Sequence, residues 1–237
     1  MNYSDFRMSY CRPTVLSDPN RDFSEDELNN IINTPDNAMG WDELSCIFQP
    51  FLPAGSYEEN VYFLPVALRF IVENDEDGEC LIENLILWIG IWKNHLKKES
   101  GKQETLYNKL LLFFQNLLTE AFTEFNLVTG KDGCLHPDKS ETVLSIIDGF
   151  NNRDYFSDLA DSWLDESLND IENYDIAAWF LFLIDEYFGS MSINSPLVAK
   201  WSEDEMKKEK GRNIVTDKAI VDGGDIIDYW DKILLRI

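Results

Sequence analysis

The sequence predicts an all-α fold, a bundle of about nine to ten helices with at most one minor edge strand pair. Three observations predict it. Apolar residues recur at helical spacing, as in Leu106, Leu110, Phe113, Phe114, Leu117, Leu118 and Phe122. Helix-start signals recur too, with Ser followed three residues on by Glu at Ser24/Glu27 and Ser56/Glu59. Strand alternation is nearly absent, and Val215 to Val221 is the only run that reads as a candidate edge strand.

The elements follow in order. Residues 1–23 form an irregular basic arm with Pro13, Pro19, Arg7, Arg12 and Arg21, able to lie back on an acidic body. Residues 24–237 form a single helical domain, with a sub-domain boundary near 128–138. Ser24 and Glu27 open the first helix, Leu28, Ile31 and Ile32 give its apolar face, and Pro35 stops it. A short helix over Trp41 to Phe48 is broken by Pro50 and Pro53. Ser56 and Glu59 open a helix carrying Val61, Leu64, Leu68, Ile71 and Val72, in which Pro65 predicts a kink or a reset first turn. The acidic run from Glu73 to Glu79 reads as a link.

Two long helices come next, at about Glu79 to Lys98 and Lys102 to Phe125, joined at Glu99-Ser100-Gly101 as an antiparallel hairpin. The Gly- and Pro-containing loop from Thr129 to Pro137 is the best internal boundary. Further helices are predicted near Asp138–Phe150, Asp154–Leu168, Tyr174–Phe188, Ser195–Lys210 and Asp225–Leu235, the fourth with Ser195 as N-cap and Pro196 at its first position.

Composition bounds function. The 237 residues are 44% hydrophobic and 13% aromatic, a globular composition that buries a core without staples. Asp and Glu number 44 against 20 Lys and Arg, a net charge of −24. Such a body repels phosphate backbones and anionic lipid, so direct nucleic-acid or membrane binding is disfavoured, while a basic surface is attracted. Cys11, Cys46, Cys80 and Cys134 are widely spaced with no paired motif, which reads as idle thiols in a reducing compartment. No apolar leader or span-length run is visible, so the cytoplasm is the expected location.

Catalytic motifs are missing: no Gly-rich phosphate loop, HExxH, GxSxG or EF-hand pattern occurs. His95 and His136 lack a local acid–base partner, so no catalytic residue and no cofactor are expected. The sharpest feature is acidic. From Asp154 to Glu186 there are ten acids and no base: Asp154, Asp158, Asp161, Asp165, Glu166, Asp170, Glu172, Asp175, Asp185 and Glu186. Asp154, Asp158, Asp161 and Asp165 fall at i, i+4, i+7 and i+11, one stripe of a helix, with Phe156, Leu159, Trp163 and Leu168 toward the core.

Like charges at that spacing cost roughly 0.2–0.5 kcal/mol per pair, so the stripe opposes its own helix. Three readings compete: a docking face for Lys and Arg of a partner, a merely solvated face, or a hard-cation site needing ligands from a second helix. The docking reading assigns partner contacts to Asp154, Asp158, Asp161, Asp165, Glu166, Asp170, Glu172 and Asp175, with Tyr155 and Trp163 as aromatic neighbours, and assigns no metal ligand.

The segment Phe51-Leu52-Pro53-Ala54-Gly55-Ser56-Tyr57-Glu58-Glu59-Asn60-Val61-Tyr62-Phe63-Leu64-Pro65 resembles a stretch of small helical bacterial proteins. Some of these are encoded beside polymorphic or contact-dependent growth inhibition toxins. The resemblance implies an immunity protein, not an enzyme, which neutralises a cognate toxin by occluding its active site. It carries no residue roles onto this chain. The expected partner is therefore a basic protein, such as a nuclease toxin. Two alternatives stay open: a DNA-mimic inhibitor of a DNA-binding protein, and a helical metal-dependent enzyme with carboxylate ligands.

Overall fold

A computed structural model describes residues 3–6, 9–18, 20–49, 53–73, 75–98, 105–129, 135–138, 140–151, 154–189, 195–222 and 225–237. The fold is all-α, with eleven helices among the described residues. The chain divides into two compact units, Met1–Phe113 and Phe114–Ile237. Arg7, Pro19, Phe51-Leu52, the Glu99-Ser100-Gly101 joint, Gly130–Cys134 and Gly223-Gly224 lie outside the described residues.

The first unit begins with a 3₁₀ turn, Tyr3–Phe6, followed by α1 (Glu25–Asn33), α2 (Trp41–Ile47), α3 (Tyr57–Glu73), α4 (Asp75–Leu96) and the start of α5 (Leu106–Ala121). Both capping boxes form. The Ser24 hydroxyl accepts from the Glu27 amide at 3.2 Å while the Glu27 carboxylate accepts from the Ser24 amide at 2.7 Å. Ser56 and Glu59 repeat the arrangement at 3.4 and 2.6 Å. Each box satisfies amides that helix geometry leaves without carbonyl partners. Gly55 precedes the second box at φ +98, a left-handed conformation that glycine adopts at no steric cost.

α3 runs on through Pro65, which is buried inside it. The acidic run 73–79 is not a link: α4 starts at Asp75, and only residue 74 separates it from α3. Gly78 allows this tight junction. A Cβ there would sit 2.8 Å from the Ile71 carbonyl oxygen, so a side chain would force the two backbones apart.

The arm does lie back on this unit. Phe6 and Leu16 are buried, and the Gly55 amide donates to the Ser17 carbonyl at 2.8 Å. Arg12 pairs with Asp36 and donates to the Ile32 and Thr34 carbonyls at 3.1 and 2.5 Å. That places a cation on the C-terminal carbonyls of α1, where the helix dipole favours it.

The second unit contains the rest of α5, then β1 (Leu127–Thr129), β2 (Leu135–Pro137), α6 (Ser140–Asn151), α7 (Asp154–Ser167), α8 (Tyr174–Gly189), α9 (Pro196–Glu203), α10 (Glu205–Asp222) and α11 (Asp225–Leu234). β1 and β2 pair antiparallel, Val128 opposite His136. α8 is buried from Ile176 to Asp185, which makes it the central helix, and α9, α10 and α11 pack on it. Its apolar residues cover the whole circumference, as a helix with no solvent face requires.

Two further expectations differ in the second unit. Val215 to Val221 is helical, part of α10, because packing on α8 buries Ile214 and Val215 and overrides local strand preference. The single helix expected over Ser195–Lys210 is two. Ser195 caps α9 by accepting from the Val198 amide, and Asp204, in an extended conformation, ends it. Asp204 then opens α10 by accepting from the Lys207 amide at 3.1 Å.

Candidate functional site

α7 carries the acidic stripe, and the structure divides it. Phe156, Trp163 and Leu168 are buried and Leu159 half-buried, as the helical spacing requires, which turns the carboxylates outward. Asp154 and Asp158 are exposed. Asp161 and Asp165 instead face α9 and α10. Asp161 accepts from Lys200 at 2.8 Å, from Lys207 at 3.2 Å and from the Trp201 indole N–H at 3.0 Å. Lys207 also reaches Asp165 at 3.0 Å and Asp204 at 3.2 Å.

Lys207 is therefore an ammonium held among three carboxylates while only 5% exposed. Burial alone would push the Asp161 carboxyl up. The hydrogen bonds and charges of Lys200 and Lys207 outweigh it, and the group is held below the usual carboxylate range. For Lys207 burial alone would lower the value; Asp165, Asp161 and Asp204 outweigh it and raise it. Carboxylates that converge on one cation converge here on the protein's own lysine. Among the described residues no group of three or more His, Cys, Asp or Glu is arranged to hold a metal.

This arrangement supplies the reason for the stripe's local cost. The repulsion within α7 is relieved by lysines that lie far along the chain, so half of the stripe acts in folding. Trp163 is corrected as a partner contact. It is 4% exposed, its indole N–H donates to Thr119 at 3.0 Å, and its ring packs edge-on to Phe122. Tyr155 is half-buried with its ring against Phe156. Asp175 is half-buried and accepts the Phe125 amide at 3.1 Å. Asp185 is buried against Arg236 at 2.5 Å, and burial pushes its carboxyl up despite that partner.

Glu166, Asp170 and Glu172 remain exposed at the turn between α7 and α8. The turn is tied down by its own bonds. The Asp170 carboxylate accepts the Glu172 amide at 3.0 Å, the Asn173 side chain donates to the Ser167 carbonyl at 2.9 Å, and Lys210 donates to the Asn169 side chain at 2.8 Å. Between the two acids Ile171 is 63% exposed. The hydrogen-bonded turn thus presents an apolar side chain to solvent between two carboxylates.

Two features lie outside the acidic stripe. Ile171 was visible as an apolar residue between acids, but its exposure depends on the turn. From Asp22 to Trp92 the only base is Arg69, an acidic stretch longer than the one on α7 and α8 and legible from residue types alone.

No protein-family model, curated protein or solved structure matches the chain. Among the described residues no helix is long and apolar enough to cross a membrane.

Proposed function

We propose that this protein is an acidic inhibitor that binds a basic protein, acting as an immunity protein that occludes the active site of a nuclease toxin in the cytoplasm. The observation that carries the reading is the α7–α8 turn, where exposed Ile171 stands between Asp170 and Glu172 on a hydrogen-bonded frame. Ile171 supplies the apolar contact that a partner desolvates, and the neighbouring acids steer basic residues toward it. Asp154, Asp158 and Glu166, exposed on α7, extend the same charge. The net charge of −24 adds long-range attraction, which salt screens.

The test is co-expression with the toxin encoded beside its gene. A complex forms and cells survive. The association rate falls about tenfold or more from low to physiological salt, as steered encounter requires. Reversing Asp170 and Glu172 to Lys slows association, whereas Ile171→Asp speeds dissociation. No complex and no protection would exclude the immunity role. A complex insensitive to all three substitutions would move the interface away from this turn.

A further inference from the structure

The first unit holds a cleft of about 410 Å³ lined by Ser56, Tyr57, Glu58, Ile91, Trp92 and His95. Three of these residues are aromatic and mutually packed. The Tyr57 ring lies 5.1 Å from Trp92 and 5.3 Å from His95, and Trp92 lies 5.1 Å from His95. Tyr57 also stacks on buried Trp88, nearly parallel at 6.1 Å, which fixes the floor of the group. Glu58 is exposed at the cleft and His95 is exposed beside it. Ile91, 47% exposed, adds an apolar wall.

Among the described residues no lysine or arginine lines this cleft. Lys93 and Lys97, on the same helix as Trp92, lie over the Tyr107 ring at 5.8 and 5.0 Å. Tyr57, Glu58, Ile91 and Trp92 belong to the stretch from Asp22 to Trp92 whose one base is Arg69, while His95 lies beyond it on the same helix as Lys93. Among the described residues its lining thus combines aromatic side chains and a carboxylate with no lysine or arginine. Aromatic faces attract cations through their quadrupole. A planar guanidinium stacks on a ring and pairs with a carboxylate at once, which a compact ammonium does less well.

We infer that the cleft floored by buried Tyr57 receives an arginine side chain of a basic protein partner, with the guanidinium on the Trp92 and His95 rings and paired to Glu58. This rests on the reading of the protein as a binder of a basic partner. It adds a second contact, on the first unit, to the acidic turn on the second.

The test uses the full chain and three short peptides, identical but for a central arginine, lysine or citrulline. Binding is followed by the indole N–H resonance of Trp92 and by titration calorimetry. Citrulline keeps the planar shape and loses the charge. The arginine peptide should shift the Trp92 resonance and bind about tenfold more tightly than the citrulline peptide, with lysine between. Trp92→Leu should remove most of that preference. Glu58→Gln and His95→Ala, both at exposed residues, should each weaken it severalfold and serve where Trp92→Leu does not fold.

Equal binding of arginine and citrulline peptides would overturn the proposal in favour of an apolar occupant. Salt-dependent binding of the arginine peptide, unchanged by the cleft variants but lost on reversing Asp170 and Glu172, would overturn the cleft and leave the basic-partner reading standing. No binding of the arginine peptide would overturn the cleft, and protection against the adjacent toxin would then judge the basic-partner reading separately.

Discussion

Lys207→Met tests what the α7 stripe does. Methionine keeps much of the apolar stem and removes the ammonium, so packing is largely retained while Asp161, Asp165 and Asp204 lose their shared cation. Removing one partner of a fully buried pair costs about 3–5 kcal/mol. The cost here is smaller. Asp165 and Asp204 have side chains 51% and 37% exposed, where each pair contributes only about 0–1 kcal/mol. Asp161, 17% exposed, keeps Lys200 and Trp201. A loss of about 2–3 kcal/mol at pH 7 follows, a large part of the ~5–15 kcal/mol that folded domains have.

Urea unfolding followed by tryptophan fluorescence reads it directly, as a midpoint lowered by about 1 M. The sign with pH is fixed. The Asp161 carboxyl is depressed in the folded state, so its stabilisation is present above the unfolded carboxylate value and is lost as pH falls through the folded one. Lys207 is raised, so its contribution persists below the unfolded lysine value and is lost only as pH rises through the folded one. The gap between wild type and Lys207→Met should be flat from about pH 6 to 9 and shrink in acid below about pH 4. An unchanged midpoint at pH 7, or a gap persisting undiminished in acid, would refute the network as the stripe's purpose.

Three further substitutions probe the frame. Gly78→Ala places a Cβ 2.8 Å from the Ile71 carbonyl oxygen and should cost about 1–3 kcal/mol in thermal or urea unfolding, by forcing α3 and α4 apart. Asn60 is buried, and its amide donates to the Ile47 and Ala54 carbonyls at 2.5 and 3.0 Å. Asn60→Ala should cost about 2–3 kcal/mol by stranding those acceptors, and amide exchange should rise around Ala54. Ser24→Ala breaks the exposed capping box of α1 and should cost about 1 kcal/mol, seen as faster exchange confined to that helix.

Helices with strong local signals were legible. The pairs Ser24/Glu27 and Ser56/Glu59 announced two starts, Ser195 and Pro196 a third, and each stands where the pattern put it. Local signals misled where packing decided. Val215 to Val221 has strand-like residue types, yet burial of Ile214 and Val215 against α8 makes it helix. The run 73–79 looked like a solvated link because its acids dominate it, while Gly78, a single residue, permits the close junction. Asp204 looked like one more acid in a helix and is the cap that starts a new one.

The acidity, the all-α class and the stripe of Asp154, Asp158, Asp161 and Asp165 were determined by the sequence itself, because residue type and helical period are local properties. What the stripe's charges meet was decided by tertiary structure. Lys200, Lys207 and Trp201 reach Asp161 from helices far along the chain, and no spacing rule relates them to it. Folding thus turns part of a repulsive stripe inward as a neutralised network. It leaves the carboxylates around Ile171 exposed, and His95 exposed beside half-buried Trp92. Charge is written residue by residue, but whether it is neutralised inside the protein or left at the surface depends on which elements pack together.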